Sequence, residues 1–325
     1  MPVTSVVKDT EALTMHIEAE FAVPVHRLWE AYADPRQLEQ FWGPVQWPAT
    51  FIRHDMYPGG ISSYYMTGPE GEKSSGFWEF LSVDAGHSFE VLDGFAHEDG
   101  TRNLELPTMR MVFRFTETAE GSRAEMTTYF NSLEEFESLL EMGMEEGTLS
   151  AMSQMDAVIT DLRAYAAEVP TGAKLIGDTQ VRISRIIRGS VDQVWAAHHD
   201  PELMKRWFLG PDGWELVVVR IAREIDDHYR YEWAPTTAVG EQFGFTGILL
   251  ESHAPFREVT TEAMIGMEGP PARNELTLTS VPDGTLLTLV ITYPSAEVRE
   301  IVLGTGMLDG MEATYARLER EISVE

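Results

Sequence analysis

The sequence contains no cysteine among its 325 residues. This absence excludes disulfide bonds, a catalytic thiolate and zinc sites built on cysteine. It fits the reducing cytoplasm, and we expect a cytoplasmic location. No stretch of about 18 consecutive apolar residues occurs, so we expect no membrane span. The first residues also lack the basic and apolar regions of a signal peptide.

Several motifs that identify enzymes are missing as well. There is no glycine-rich phosphate loop of the P-loop or Rossmann kind, no Gly-x-Ser-x-Gly elbow and no HExxH motif. His198 and His199 are adjacent, and neighbouring residues do not share a helix face, so they make a poor metal site. We therefore predict no metal and no cofactor.

Basic residues are scarce. The chain has 24 Lys and Arg against 53 Asp and Glu, for a net charge of −29. Such a surface repels nucleic-acid backbones and anionic membranes, so neither is expected as a partner. The simplest consequence of the charge is high solubility.

What the sequence does have is a long internal repeat. Trp29 matches Trp195, and the pair Asp34-Pro35 matches Asp200-Pro201, both at an offset of 166 residues. A period of this length is a whole domain, since solenoid repeats run about 20–50 residues. We predict two copies of one fold, at residues 1–168 and 179–325. The segment 169–178, which has a proline and two glycines, is the predicted linker.

Each copy shows the same order of patterns. An alternating strand comes first, then two short helices separated by Asp-Pro, several strand-like runs, and a long amphipathic helix. The long helices are predicted over residues 133–166 and 296–322, the first with breaks at Gly143 and Gly147. An antiparallel sheet of about six strands needs that helix to cover one face. The pattern predicts an α+β domain whose curved sheet grips the helix, with a concave gap suited to a ligand.

These features resemble the START-like, or SRPBCC, superfamily, and within it the branch named after the activator of the heat-shock-protein ATPase. The resemblance depends on the helix ending in Asp-Pro, the aromatic helix stopping at Gly-Pro, and a strand that in the family has two glycines followed by spaced aromatics. Residues 59–64 keep both glycines and have lost one aromatic, whereas residues 226–231 keep the aromatics and have lost both glycines. It implies two tandem helix-grip domains. Its known members include ligand binders, polyketide cyclases and co-chaperone domains, so it specifies the fold better than the function.

Aromatic and methionine side chains are the predicted lining of the gap, because alternation places Tyr229, Tyr231 and Trp233 on one strand face. The remaining apolar candidates are Trp42, Trp47, Tyr64, Trp78, Phe95, Met109, Met111, Met144, Trp207, Trp214, Phe245, Met264 and Met307. Ordinary core packing is the alternative for each of them. The polar candidates, any of which a register error of one residue would turn to solvent, are His54, His97, Arg110, Glu232 and Glu262.

Three functions remain open from the sequence. The first is a soluble protein that binds a small hydrophobic or aromatic ligand in the gap. The second is a cyclase- or dehydratase-like enzyme that uses the same gap, with a carboxylate or histidine moving a proton. The third is a co-chaperone-like module with a protein partner; a homodimer is also left open. We further predict that the two pockets differ in size, one being filled by side chains, and that residues 95–107 cover a pocket as a lid.

Overall fold

The computed structural model describes residues 2–160, 171–237 and 240–322. The chain divides into two compact units, Met1–Ala167 and Glu168–Glu325. Each is an α+β domain built on one antiparallel sheet, as the repeat predicts. No helix within the described residues is long and apolar enough to cross a membrane.

The first unit has eight strands and four helices among its described residues. In chain order they are β1 (Val3–Asp9), β2 (Thr14–Phe21), α1 (Val25–Ala33), α2 (Pro35–Leu38), β3 (Ala49–His54), β4 (Ile61–Thr67), β5 (Lys73–Asp84), β6 (Ser88–Ala96), β7 (Met109–Thr118), β8 (Gly121–Tyr129), α3 (Leu133–Glu141) and α4 (Met144–Thr160). The strands lie in the order β1-β2-β8-β7-β6-β5-β4-β3. The last six residues of the predicted terminal helix lie outside the described residues.

The second unit repeats this arrangement over its described residues. Its elements are β9 (Gly172–Ile176), β10 (Gln180–Ile187), α5 (Val191–His199), α6 (Pro201–Trp207), β11 (Trp214–Arg220), β12 (His228–Pro235), β13 (Phe243–His253), β14 (Arg257–Met264), β15 (Ala272–Val281), β16 (Gly284–Thr292), α7 (Ala296–Gly304) and α8 (Met307–Ile322). The strand order is β11-β12-β13-β14-β15-β16-β10-β9. Every pair in both sheets is antiparallel.

The strands β1 and β9 are the elements that the sequence patterns did not predict. Both are edge strands, and β9 lies inside the segment expected to be a linker, where it pairs with β10. The structure differs because strand pairing recruits these residues: their backbone groups continue the sheet although their side chains do not alternate cleanly between apolar and polar. Residues 169–170 of the same predicted linker lie outside the described residues.

The Asp-Pro dipeptides work as a helix stop and a helix start. Asp200 ends α5, and its side chain then accepts hydrogen bonds from the backbone N–H groups of Glu202 (2.7 Å) and Leu203 (3.2 Å) at the start of α6. Proline suits the first helical position, because its missing N–H would have no partner there. Asp34 caps α2 in the same way, through Arg36. This local chemistry fixes the sharp bend that both copies share.

The terminal helix is interrupted once in each copy. Gly143 and Gly306 have φ of +85° and +83°, a left-handed conformation that glycine adopts without steric cost. They separate α3 from α4 and α7 from α8. The break predicted near Gly143 is therefore where the structure has it, whereas Gly147 lies inside α4.

The segment 95–107 does not form the predicted lid. Its hairpin is closed by a bridge between Ala96 and Arg102. The Arg102 guanidinium lies over the ring of Phe77 at 4.6 Å and pairs with Glu79, on the face of β5 that points away from the helices. The segment therefore folds back along the outer face of the sheet, because that cation–π contact and ion pair hold it there.

Candidate functional site

The two sheets can be aligned residue by residue through one bulge that occurs in both. The β5–β6 pair has a bulge between Phe80 and Ser82, and the β13–β14 pair has one between Leu249 and Glu251. Matching the bulges and following the registers outward gives the equivalent positions on the concave face, the one that faces the helices. These are Ser62 with Tyr229, Tyr64 with Tyr231, Trp78 with Gly247, Phe89 with Glu258, Val91 with Thr260, Asp93 with Glu262, Met111 with Asn274, and Phe113 with Leu276.

In the first unit the concave face is a closely packed aromatic core. Trp78 is completely buried, and its ring lies 4.7 Å from that of Trp42 and 6.2 Å from those of Phe89 and Phe113. Phe89 and Phe113 stack on each other at 4.4 Å. Aromatic rings at such separations fill the interior and contribute beyond their buried area. The predicted lining of this unit is therefore largely core.

Asp93 is the functional-looking residue that sequence reasoning missed in this unit. Its carboxylate accepts a hydrogen bond from Trp78 Nε1 at 2.8 Å and a longer one from the Tyr64 hydroxyl at 3.5 Å. Burial raises its pKa to about 7, although both hydrogen bonds act in the opposite direction. The signal was present: Phe89, Val91 and Asp93 alternate along β6, so one carboxylate continues an otherwise apolar inward row.

Most other candidates of the first unit belong to this core or its edge. His54 is held between the Ser62 hydroxyl, 2.7 Å from Nδ1, and the Tyr32 carbonyl, 2.9 Å from Nε2. Because both ring nitrogens have partners, this side chain supports the packing. Met109 and Met111 are buried on the concave face, and the half-buried candidates are Trp42, Trp47, Phe95 and Met144.

The second unit differs on the same face. Tyr231, Phe245, Leu276, Leu289 and Met311 lie between the sheet and the helices, yet each remains half-buried. Their buried neighbours fall into separate clusters, one around Leu278 and Tyr315 and another around Met204 and Trp233. The alignment explains why the second core is divided. At five equivalent positions the first unit has Trp78, Phe89, Val91, Met111 and Phe113, whereas the second has Gly247, Glu258, Thr260, Asn274 and Leu276. Smaller and more polar side chains cannot restore the same dense core.

Glu262 is the carboxylate at the centre of that face. The Tyr229 hydroxyl lies 3.4 Å from its Oε2, and the Asn274 side chain donates a hydrogen bond to it. Burial raises the pKa of Glu262, and these hydrogen bonds oppose the effect. Burial, and after it the charge of Glu262, raises the pKa of Tyr293 to about 12. Glu262 therefore lies partly buried beside Tyr229, and its charge acts on Tyr293.

A histidine–glutamate pair lies further along β14. His199 Nε2 is 2.7 Å from Glu258 Oε2, and the His199 ring stacks on Trp195 at 4.0 Å. Burial opposes protonation of His199, but the hydrogen bond and charge of Glu258 outweigh it, so the His199 pKa is raised. Burial lowers the pKa of the adjacent His198 to about 4. Because Glu258 and Glu262 are four residues apart on one strand, their Cα atoms lie about 13 Å apart along β14.

The other candidates of the second unit are core or rim residues. Trp207 and Trp233 are buried, and their indole N–H groups donate to the backbone carbonyls of Ala197 (2.9 Å) and Phe208 (2.8 Å). Tyr229 is buried beside Glu262, and Met264 is 38% exposed at the end of β14. Two further candidates, Trp214 and Met307, are half-buried.

Three polar candidates do not face the concave side, which corrects their predicted placement. Arg110 alternates with the inward Met109 and Met111, pairs with Glu90 at 3.0 Å and covers the outer ring of Tyr129. Glu232 alternates with Tyr231 and Trp233 and pairs with Arg230. His97 is exposed in the hairpin after β6. In each case strand register decides the face, and the residue type alone carries no information about it.

One group of potential metal ligands lies on the outer face of the first sheet. His16, Glu18 and Glu125 bring one ligand atom each to within 4.8 Å of the others, and all three are half-buried. The guanidinium of Arg123 interacts electrostatically with the carboxylates of Glu18 and Glu125, and it forms a salt bridge with Glu20 at 2.8 Å. A positive charge is therefore already supplied to these carboxylates, which weakens their attraction for a cation.

Comparison with known proteins gives the family. The family model described as activator of Hsp90 ATPase homolog 1-like protein matches residues 22–160 and again residues 188–323. The crystal structure of protein Ms6760 from Mycobacterium smegmatis is 51% identical, covers 49% of this chain and 98% of that chain, and superposes with a TM-score of 0.47. A solution NMR structure of a protein from Arthrobacter aurescens is 43% identical over 49% of this chain and 92% of that chain, with a TM-score of 0.47.

A third solved structure, the AHSA1 protein from Silicibacter pomeroyi, is 22% identical over 44% of this chain and 95% of that chain, with a TM-score of 0.37. A search among functionally curated proteins found no match. Each matched range takes in all four helices described in one unit and six of the eight strands of its sheet, from β3 to β8 in the first unit and from β11 to β16 in the second. The chain belongs to the activator of Hsp90 ATPase homolog 1-like family and carries the family domain twice in tandem.

Proposed function

We propose that the second unit binds a small, largely apolar or aromatic molecule between its sheet and α8, and that the first unit has lost this capacity. We call this space the hollow; it is bounded by Tyr231, Phe245, Leu276, Leu289 and Met311. The single observation that supports the proposal is that these inward-facing apolar side chains remain half-buried. In the first unit, by contrast, the equivalents of Tyr231, Leu276 and Leu289 are buried; they are Tyr64, Phe113 and Met126. Incompletely packed apolar surface inside a domain is where small ligands gain contact area.

The composition of the hollow favours a particular kind of occupant. Its walls are aromatic and aliphatic, and its polar groups are few: Glu262, Asn274, Thr260 and the hydroxyl of Tyr231. A small number of fixed polar groups in an apolar site orients a ligand and gives specificity. A small molecule of the cytoplasm is the partner that we propose, in preference to a nucleic acid, which the charge of −29 repels.

The His199–Glu258 pair favours a second candidate, an enzyme of the cyclase or dehydratase type. A histidine whose protonated form is stabilised by a carboxylate can donate a proton and take it back, and Tyr231 lies within electrostatic reach of both Glu258 and Glu262. Binding in the hollow is common to both candidates. Loss of a measured turnover on His199→Ala, with ligand affinity retained, would distinguish the enzyme from the binder.

Binding is tested with N-phenyl-1-naphthylamine, a neutral dye whose fluorescence rises in apolar surroundings. The decisive variant is Leu276→Phe, which places in the hollow the residue that the first unit has at Phe113. We expect the dye affinity to fall about tenfold, since the added ring occupies ligand volume. Leu175→Phe is the matched control, because Leu175 is 52% exposed on the edge strand β9.

The stability of Leu276→Phe provides a second readout. If the hollow is open, the larger ring is accommodated and the free energy of unfolding stays the same or rises. If the interior is closely packed, overpacking costs about 1–3 kcal/mol. A destabilised Leu276→Phe together with no dye binding by the unaltered protein would refute the proposal.

A further inference from the structure

In the first unit an aromatic side chain, Trp78, donates a hydrogen bond to the inward-facing carboxylate of Asp93. The indole of Trp78 is completely buried and donates its Nε1–H to Asp93 at 2.8 Å. Aromatic rings of Phe89 and Phe113 lie 6.2 Å from it. A flat ring with one N–H thus satisfies a buried carboxylate and fills the centre of the domain.

The second unit keeps the carboxylate but lacks the indole. Glu262 is equivalent to Asp93, whereas Gly247 is equivalent to Trp78. A side chain cannot return at Gly247, because its Cβ would lie 1.8 Å from the Thr261 carbonyl oxygen. The missing donor must therefore come from elsewhere if Glu262 is to be satisfied as Asp93 is.

Tyr229 replaces the indole only in part. It stands where the first unit has Ser62, and its ring lies close to Gly247, so it occupies some of the vacated volume. Its hydroxyl has a single proton, and the Thr261 carbonyl at 2.9 Å is a nearer acceptor than Glu262 at 3.4 Å. Glu262 therefore keeps Asn274 as its main donor within the described residues.

Two further observations concern the hydrogen-bonding groups around Glu262. The Oδ1 atom of Asn274 is buried without a hydrogen-bond partner. The cation on the same concave face, Arg185, is already paired with Glu312 and Glu319. Glu262 and Asn274 Oδ1 are thus two acceptors to which a ligand N–H can donate.

We infer that the hollow selects flat aromatic molecules of about the size of indole that present an N–H group to Glu262, so that the ligand takes the place that Trp78 occupies in the first unit. The inference rests on the proposed binding function and adds the chemistry of the ligand to it. Asn274 Oδ1 supplies a second acceptor for ligands with two N–H donors. The first unit, having Trp78 in place, does not bind such molecules.

The test compares indole with benzofuran, which has the same shape and an oxygen in place of the N–H. Both are used to displace N-phenyl-1-naphthylamine from the full chain. We expect indole to displace the dye at about a tenfold lower concentration, since one hydrogen bond to the partly buried carboxyl of Glu262 distinguishes the two compounds. In Glu262→Leu the two compounds should become equivalent. Glu262→Gln should keep part of the difference, because its amide oxygen still accepts.

Glu232→Gln is the matched control, since Glu232 lies on the outer face of the neighbouring strand, and it should keep the full preference for indole. Equal displacement by indole and benzofuran in the unaltered protein, or by neither while the dye binds, overturns the inference and leaves the proposed function standing. Absence of dye binding altogether overturns the proposed function itself. Circular dichroism of both Glu262 variants establishes that they are folded, and if Glu262→Leu is not, Glu262→Gln alone decides by a reduced preference.

Discussion

The Asp93→Asn substitution should change how the stability of the first unit depends on pH. Asn has nearly the same shape as Asp, and its amide oxygen can still accept the hydrogen bond that Trp78 donates. What it removes is the ionisable proton. Burial raises the pKa of Asp93 from 3.8 to about 7, against the weaker effects of the hydrogen bonds from Trp78 and Tyr64.

The sign follows from proton linkage. Between pH 4 and pH 7, roughly, the folded unit holds a proton on Asp93 that the unfolded chain has released, so its stability falls as the pH rises through this window. The difference between 3.8 and about 7 corresponds to about 4 kcal/mol. At pH 4 the variant and the unaltered protein should therefore be similar in stability. At pH 8 the variant should be more stable by up to that amount.

The assay is hydrogen exchange followed by mass spectrometry along a urea titration, at pH 4, 6 and 8. Peptides from β5 and β6 report the first unit, and peptides from β13 and β14 serve as an internal control. Glu90→Gln, on the outer face of β6, is the control variant. A stability difference between Asp93→Asn and the unaltered protein that changes by less than about 1 kcal/mol between pH 4 and 8 would refute the reasoning.

Two other predictions follow from the difference in packing. Tyr231→Ala should weaken binding of N-phenyl-1-naphthylamine by about 1–3 kcal/mol in a fluorescence titration, because the Tyr231 ring bounds the proposed hollow. Unchanged affinity would place that ring in the core instead. Val91→Phe should destabilise the first unit by about 1–3 kcal/mol in urea unfolding, whereas the equivalent Thr260→Phe should be tolerated and should abolish dye binding. Equal destabilisation by these two substitutions would contradict a filled first unit and an open second one.

Repeats and alternation carry the fold in this sequence. The offset of 166 residues indicated two copies of one domain. The Asp-Pro bends and the late glycine that interrupts the terminal helix are local signals with a backbone cause, and together these features predicted two α+β helix-grip domains. The tyrosine stripe was also readable, because alternation along β12 assigns Tyr229 and Tyr231 to one face. Strands β1 and β9 were not, since their pairing depends on a neighbouring strand that local pattern does not reveal.

The site was decided only by the tertiary structure. Arg110 and Glu232 were predicted to line the gap but lie on the outer face, because a register error of one residue reverses every side chain. Asp93 was missed, although its alternation with Phe89 and Val91 along β6 indicates which face it shares. The sequence could say that aromatic residues were plentiful in both copies. Only the strand registers, aligned through the bulges after Phe80 and Leu249, show that Trp78 and Gly247 occupy equivalent positions. Tertiary structure was needed because the packing of a core depends on which side chains meet across strands that are far apart in the chain.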